Sequence, residues 1–343
     1  MKNGKYGIAL VGLGKYATNQ LAQAIEHSES FYLAGIVTGS PDKAKKWKEK
    51  YNLKDESIYD YSTFDNISKN KEIEVVYIVL PNSMHAEYTI RAAQAGKHVI
   101  CEKPMASNTL ECKQMISACE DAGVRLLIGY RLHFEPHNQE IIKLGQEKEL
   151  GNIKHIKAGF GFEAGSPGQW RLKKMFGGGA LMDVGIYCIQ AARHITGMEP
   201  LYINYAEITR QDGKFEEVDG EIKFEIEFPG EIKAVCEASF AKNIDYVHAE
   251  TEEGWFELSP AFEYQGLKGS TSNGPLNIEN INQQKAQLDA MADAIYNNTE
   301  ITADAEEGLK DMGIIEAIFK AAETGKPVNL TEKQSLHQAD RRW

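Results

Sequence analysis

Lys103 stands where a lysine can do chemistry. It follows the apolar run His98-Val99-Ile100-Cys101, lies beside Glu102 and precedes Pro104. Proline fixes its own φ and drives the preceding residue to extended backbone, so Lys103 is held at a strand end. The Lys103–Pro104 bond is also of the kind that admits the cis form. An ammonium fixed beside an acid at the carboxyl edge of a parallel sheet can touch a cofactor and a substrate hydroxyl. A second constellation lies downstream, where Gln169-Trp170-Arg171-Leu172 and Gly177-Gly178-Gly179 lead into a helical pattern carrying Asp183 and Tyr187. Four apart on a helix, these two share one face. An acid that orients a phenol makes a proton donor or acceptor, and a nearby Lys103 would favour the phenolate. The bland alternatives are a surface turn for Glu-Lys-Pro and a structural pair for Asp183 and Tyr187.

What precedes these residues gives them weight. Tyr6-Gly7-Ile8-Ala9-Leu10-Val11 reads as a buried strand, followed by Gly12-Leu13-Gly14-Lys15-Tyr16-Ala17 and a helical pattern to about Ser28. In this G-x-G-x-x-A, Gly12 makes the tight turn and Gly14 lets the backbone approach a pyrophosphate. Ala17 allows close helix–strand packing, and the helix start offers amides to the phosphates. The second strand, 31–37, ends in Thr38-Gly39-Ser40-Pro41-Asp42-Lys43. An NAD site usually carries Asp or Glu at this strand end. Hydroxyls at Thr38 and Ser40 with Lys43, Lys45 and Lys46 behind suit a 2′-phosphate, so NADP is expected. Asp42 keeps NAD as the alternative, and a solvated helix face over 41–51 is the bland reading of the lysines.

The elements that must position these groups follow as repeated βα units. Strands at 74–80, 98–100 and 124–129 alternate with helices at 86–95 and 110–122, with glycine at helix ends. This predicts a doubly wound parallel sheet, whose ligands lie at the carboxyl ends of the strands. Leu80, Asn82, His85, Glu102, Lys103, Tyr130 and Arg131 fall there. After Arg131 the texture changes to a helix from about 132 to 148 and strands at 153–162, 201–210, 221–228, 231–240 and 246–258. Turn signals at Asp212-Gly213, Asp219-Gly220 and Pro229-Gly230 separate several of them, which predicts a largely antiparallel open sheet in an α+β domain. Residues 259–283 read as loop, and helices near 284–297 and 305–324 close the chain. The expected domains are 1–129 and 130–343.

Composition narrows the function. The 38 basic and 50 acidic residues leave a net charge of −12, which argues against nucleic-acid and anionic-membrane partners. No apolar stretch is read as approaching the ~20 residues of a membrane span. The five cysteines lack metal-ligand spacing. They read as reduced packing residues of a cytoplasmic protein, with no metal site expected.

Together these stretches resemble the Gfo/Idh/MocA oxidoreductase family, most closely its glucose–fructose oxidoreductase branch. The resemblance is carried by residues 12–17, Ile58-Tyr59-Asp60-Tyr61-Ser62, Leu80-Pro81-Asn82-Ser83, Gly96-Lys97-His98-Val99, residues 102–106, Gly129-Tyr130-Arg131 with His133, Trp170-Arg171-Leu172 and residues 177–187. It covers essentially the whole chain. It implies a Rossmann domain, an α+β domain whose open sheet packs across a homodimer or homotetramer, and hydride transfer between a nicotinamide and a carbon bearing a hydroxyl. The expected activity is an NADP-dependent sugar or polyol oxidoreductase. An NADP-linked aldose dehydrogenase, a dicarbonyl or ketose reductase and a non-catalytic dinucleotide-binding sensor are the alternatives. Within the resemblance, Lys103 matches the catalytic lysine and Asp183 and Tyr187 the second catalytic pair. Tyrosine replaces the histidine of the wider family there. Substrate contacts fall to Lys103, His133, Asp183 and Tyr187. Cofactor contacts fall to Gly12, Gly14, Lys15, Tyr16, Ala17, Thr38, Ser40, Lys43, Leu80, Asn82, His85, Glu102, Lys103, Arg131, Trp170 and Arg171. Exported members of that branch carry a signal and an N-terminal arm, whereas five residues precede the first strand here.

Overall fold

The computed structural model describes residues 4–165 and 168–331. The chain divides into two units, one running through Phe134 and taking in Asn282–Met312, the other made of Glu135–Ile281 and the residues from Gly313 onward. This differs from a single cut between 129 and 130, because a late segment of the chain packs with the first unit.

The first unit is built on β1 (Tyr6–Val11), β2 (Phe31–Val37), β3 (Ile58–Tyr59), β4 (Val75–Ile78), β5 (His98–Cys101) and β6 (Leu126–Ile128), all parallel, in the order β3-β2-β1-β4-β5-β6. Helices α1 (Ala22–His27), α2 (Pro41–Tyr51), α3 (His85–Gln94) and α4 (Thr109–Asp121) lie between strands. Strands covered on both faces must be apolar nearly throughout; Ile8, Leu10, Val75, Val76, Tyr77 and Ile100 are fully buried. Ser40 caps α2 by accepting the Lys43 amide, Pro41 occupies its first turn, and Asn52 ends it in the left-handed region (φ 50°).

The second unit holds helix α5 (Pro136–Glu147), β7 (Ile153–Gly161), helix α6 (Ile186–Thr196), β8 (Tyr202–Arg210), β9 (Glu221–Phe228), β10 (Ile232–Ser239), β11 (Ile244–Thr251), β12 (Trp255–Leu258), β13 (Gly269–Thr271) and β14 (Gly274–Leu276). With β15 (Val328–Asn329) the strands form a nine-stranded sheet, β14-β13-β12-β11-β7-β10-β9-β8-β15, in which β10 runs parallel to β7 and every other pairing is antiparallel. The period of two is clear on β9: Ile222, Phe224, Ile226 and Phe228 are buried, alternating with charged residues on the other face. Helix α6 packs on β7 and β10.

Helix α7 (Gln283–Tyr296) belongs to the first unit and α8 (Ala305–Thr324) contains the point where the units divide. Ser28 donates from Oγ to Asp289 on α7 at 2.6 Å, one reason this segment joins the first sheet.

Three expectations are corrected. The strand expected over 246–258 is two strands, because Thr251 closes a turn by donating to the Gly254 carbonyl. The expected loop 259–283 contains the hairpin β13–β14. The stretch Lys174–Thr196 does reach membrane-span length, with mean hydropathy 1.2, and 67% of its apolar window is buried inside the protein. Its apolar residues are core against β7 and β10.

Candidate functional site

Candidate residues cluster on each unit separately. In the first unit, β1 ends at the glycine turn. Gly12 has φ +92°, and a methyl group there would lie 2.5 Å from the Val79 carbonyl, so no other residue fits. A methyl group at Gly14 would meet no described protein atom within 4 Å. That leaves an open cradle beside exposed Lys15 and the helix start, where Ala17 is fully buried. Thr18 folds back, its amide and hydroxyl donating to the Gly14 carbonyl at 3.0 and 2.9 Å. The first turn, Ala17–Leu21, is π-type.

The end of β2 lies beside this turn. The Lys43 ammonium donates to the Leu13 carbonyl at 2.8 Å, and Ser40 donates its amide to the Thr38 hydroxyl at 3.2 Å. The two hydroxyls and the cation expected for a 2′-phosphate are therefore brought together around the glycine turn. Tyr61 also comes close, its ring 3.0 Å from where a Gly39 methyl would stand.

Lys103 follows β5, joined to Pro104 by a cis peptide, and is partly exposed. Beneath it the neighbours are locked. His85 is fully buried, its Nδ1 2.9 Å from the Pro104 carbonyl and its Nε2 2.9 Å from the Leu80 carbonyl. Burial holds this imidazole below its usual pKa. Glu102 accepts from the Tyr77 hydroxyl at 2.7 Å and from the Lys103 amide at 3.3 Å, and burial raises its carboxyl. The Tyr77 hydroxyl in turn accepts from Gln287 at 2.8 Å. Gly129 is required here, since a methyl group would press on Glu102 at 2.8 Å. Arg131 is buried and donates to Gln283, Tyr130 donates to Asp311 at 2.7 Å, and the His133 ring stacks on Tyr130 and lies 2.9 Å from Thr302. Asn82 and Leu80 are buried as well. The sequence puts His85, Glu102 and Arg131 among direct cofactor contacts; in the structure His85 and Glu102 also brace the Lys103–Pro104 turn, and Arg131 reaches Gln283.

In the second unit Trp170 and Arg171 form a short turn ahead of the three glycines, and Asp183 lies in a π-type turn, Leu181–Gly185, that runs directly into α6. A π turn at the head of a helix frequently marks a functional position. Asp183 accepts from Arg171 Nε at 2.5 Å, and this carboxylate raises the guanidinium's pKa further. The Arg171 guanidinium lies over the Trp170 ring at 4.7 Å. Tyr187, partly exposed at the start of α6, has its ring wedged edge-on to Phe160 at 5.2 Å and tilted against Phe262 at 5.7 Å. Asp219, at the foot of β9, is buried and accepts the Leu181 amide at 2.7 Å. Sequence reasoning assigned Asp219-Gly220 to a hairpin turn and so missed it. Phe160, Tyr77 and Gln287 were missed because each sits in an ordinary apolar or helical pattern, and Phe262 because it sits in a stretch read as loop. Among the described residues, no three His, Cys, Asp or Glu side chains converge as a metal site would require.

A family model described as an oxidoreductase family with an NAD-binding Rossmann fold matches residues 6–130, and one for the GFO/IDH/MocA C-terminal domain matches residues 138–271. The chain belongs to the Gfo/Idh/MocA oxidoreductase family. A crystal structure of a family relative, the aldose–aldose oxidoreductase from Caulobacter crescentus in complex with glycerol, is 41% identical, has a TM-score of 0.92 and covers 95% of this chain and 100% of its own. The D-xylose 1-dehydrogenase (NADP(+)) of Haloarcula marismortui is 28% identical over 333 residues, 94% of this chain and 92% of that protein. A second such dehydrogenase, from Haloferax volcanii, is 27% identical over 332 residues, 94% and 98% of the two chains. The two family models together cover parts of both units.

Proposed function

We propose that this protein is an NADP-dependent sugar oxidoreductase that acts on a CH–OH group of an aldose or related polyol. The observation that carries the reading is the 41% identity, over 95% of the chain, to an aldose–aldose oxidoreductase. The residues fit the cofactor. The open space at Gly14 takes a pyrophosphate, and Thr38, Ser40 and Lys43 together take the 2′-phosphate. NADP⁺, when bound, supplies the hydride acceptor.

The chain's own residues manage the oxygen and its proton. The Lys103 ammonium stabilises the negative charge that grows on the reacting oxygen, held in place by the His85 and Glu102 supports beneath it. Tyr187 takes the hydroxyl proton on oxidation and returns it on reduction. Phe160 and Phe262 pack against its ring and help to orient it. Arg171 holds Asp183, and so holds the turn that leads into α6 and Tyr187.

The test uses purified protein with stoichiometric NADP⁺. Glucose or xylose is added and NADPH absorbance is followed, then a second aldose is added. A rise capped near one equivalent and discharged by the second aldose is the expected result, meaning exchange between two sugars on one retained cofactor. The full-length likeness to D-xylose 1-dehydrogenases favours a second reading, in which the rise grows with excess NADP⁺ and ignores the second sugar. Absence of any rise across an aldose and polyol panel removes both.

The protein assembles as a homodimer or homotetramer through the outer face of the second unit's sheet, supported by Tyr202 and Tyr205 standing exposed on β8. A Tyr205→Glu protein that sediments like the wild type would sink this assembly. A reducing compartment, the cytoplasm, is supported by the five buried cysteines, none in a disulfide. Fractionation that finds the protein outside that compartment would refute it.

A further inference from the structure

We infer that Asp219 is a positioning residue for Tyr187 and Asp183, acting as the cap of the π turn that carries Asp183 and leads into Tyr187. The inference rests on the sugar-oxidoreductase reading for what is positioned, and on geometry for how. Asp219 lies in the connection between β8 and β9, distant in sequence from the turn it serves. Its side chain accepts the Leu181 amide at 2.7 Å and its main-chain carbonyl accepts the Ala180 amide at 2.9 Å. One residue thus satisfies two of the donors that a helix start leaves without partners.

The approach is unusually close. Gly179 has φ +124°, and a methyl group there would stand 2.2 Å from Asp219 Oδ1. The third glycine of Gly177-Gly178-Gly179 therefore admits the carboxylate. The same connection grips the preceding segment twice more: Lys214 donates to the Ala164 carbonyl at 2.5 Å, and Glu217 pairs with Lys173 at 2.5 Å. Those two contacts are exposed or half-buried, whereas Asp219 is 4% exposed. Asp183 lies two residues beyond the capped amide and Tyr187 six, so a loosened cap shifts both. A displacement of about an ångström at a reacting group is enough to cost roughly 10²-fold in rate.

The experiment compares Asp219→Ala, Asp219→Asn and Gly179→Ala with the wild type. Asp219→Asn keeps an oxygen for the Leu181 amide; Asp219→Ala removes it, and Gly179→Ala pushes the side chain away. Asp219→Ala and Gly179→Ala should lower kcat by roughly tenfold or more with KM for the sugar changed by less than about threefold. Asp219→Asn should recover most of kcat, and NADP⁺ affinity measured by cofactor fluorescence should be unchanged in all three. Independently of turnover, amide hydrogen exchange in peptides covering 180–188 should rise in Asp219→Ala and stay near wild type in Asp219→Asn. Wild-type exchange over 180–188 in Asp219→Ala, or loss in Asp219→Asn equal to that in Asp219→Ala, overturns the inference. If the wild type oxidises no sugar, the functional reading fails, while the exchange comparison still decides the cap.

Discussion

Lys103 and Tyr187 are assigned chemistry, and their neighbours are assigned the task of holding them. Lys103→Met and Tyr187→Phe should each reduce kcat by about 10²–10⁴-fold, the range for a lost proton-transfer or charge-stabilising group. Cofactor affinity in both should stay within a few-fold of wild type, measured by fluorescence titration; full activity in either removes that residue from the mechanism. Gly14 gives a complementary prediction. A methyl group there touches nothing described within 4 Å and its φ is not in the left-handed region, so Gly14→Val should fold normally by thermal melting. It should weaken NADP⁺ binding by at least about tenfold, roughly 1.4 kcal/mol, by filling the pyrophosphate space. Unchanged affinity would move the phosphate site elsewhere. The candidate residues stand out in the sequence because lysine before proline, a glycine triplet and an isolated Asp–Tyr pair break the surrounding apolar pattern. Their supports do not. Tyr77 lies in a buried strand like any core aromatic, and nothing in sequence spacing ties it to Glu102 or to Gln287, 210 residues away.

At the scale of elements, the strand–turn–helix order of the first unit could be read almost residue by residue, since fully buried parallel strands leave uninterrupted apolar runs. The second unit was read less well at its far edge. The turn closed by Thr251 and the β13–β14 hairpin lack the apolar run that marks a buried strand, being short and on the sheet's margin. The π turns at both candidate sites also escaped, because a single extra residue in a helical turn leaves the apolar period nearly intact. One of them carries a pH signature. Burial lifts the Asp219 carboxyl from 3.8 to about 7, and the amides of Leu181 and Ala180 pull it back only in part. Between those values the folded protein binds a proton that the unfolded chain has released, so raising the pH through this window lowers stability. Asp219→Asn has nothing to ionise. Its melting temperature relative to wild type should therefore be higher at pH 8 than at pH 5, and a difference that is flat with pH would show that Asp219 does not titrate in this window. His85 works in the opposite sense: its lowered pKa stabilises the fold above the ordinary histidine range and withdraws that support in acid.

At the scale of the molecule, the two units are unequal in how the chain supplies them. The second unit's sheet is nearly all drawn from one continuous run, with β15 the only late strand among the described residues. The first unit is different: α7 brings Asp289 to Ser28, Gln287 to Tyr77 and Gln283 to Arg131. During synthesis this has a temporal consequence. The dinucleotide-binding half leaves the ribosome before the second unit yet is finished late, because its closing segment, 282–312, emerges only after residues 135–281 of the second unit have been made. Until then the buried ends of Tyr77 and Arg131 face a gap, and such partly built surfaces are targets for chaperones and proteases. Ribosome-stalled chains ending near 140 should be digested quickly in the region of β1–β6, and chains long enough to expose residue 312 should resist. Equal resistance at both lengths would mean that the first 134 residues close without their late helix.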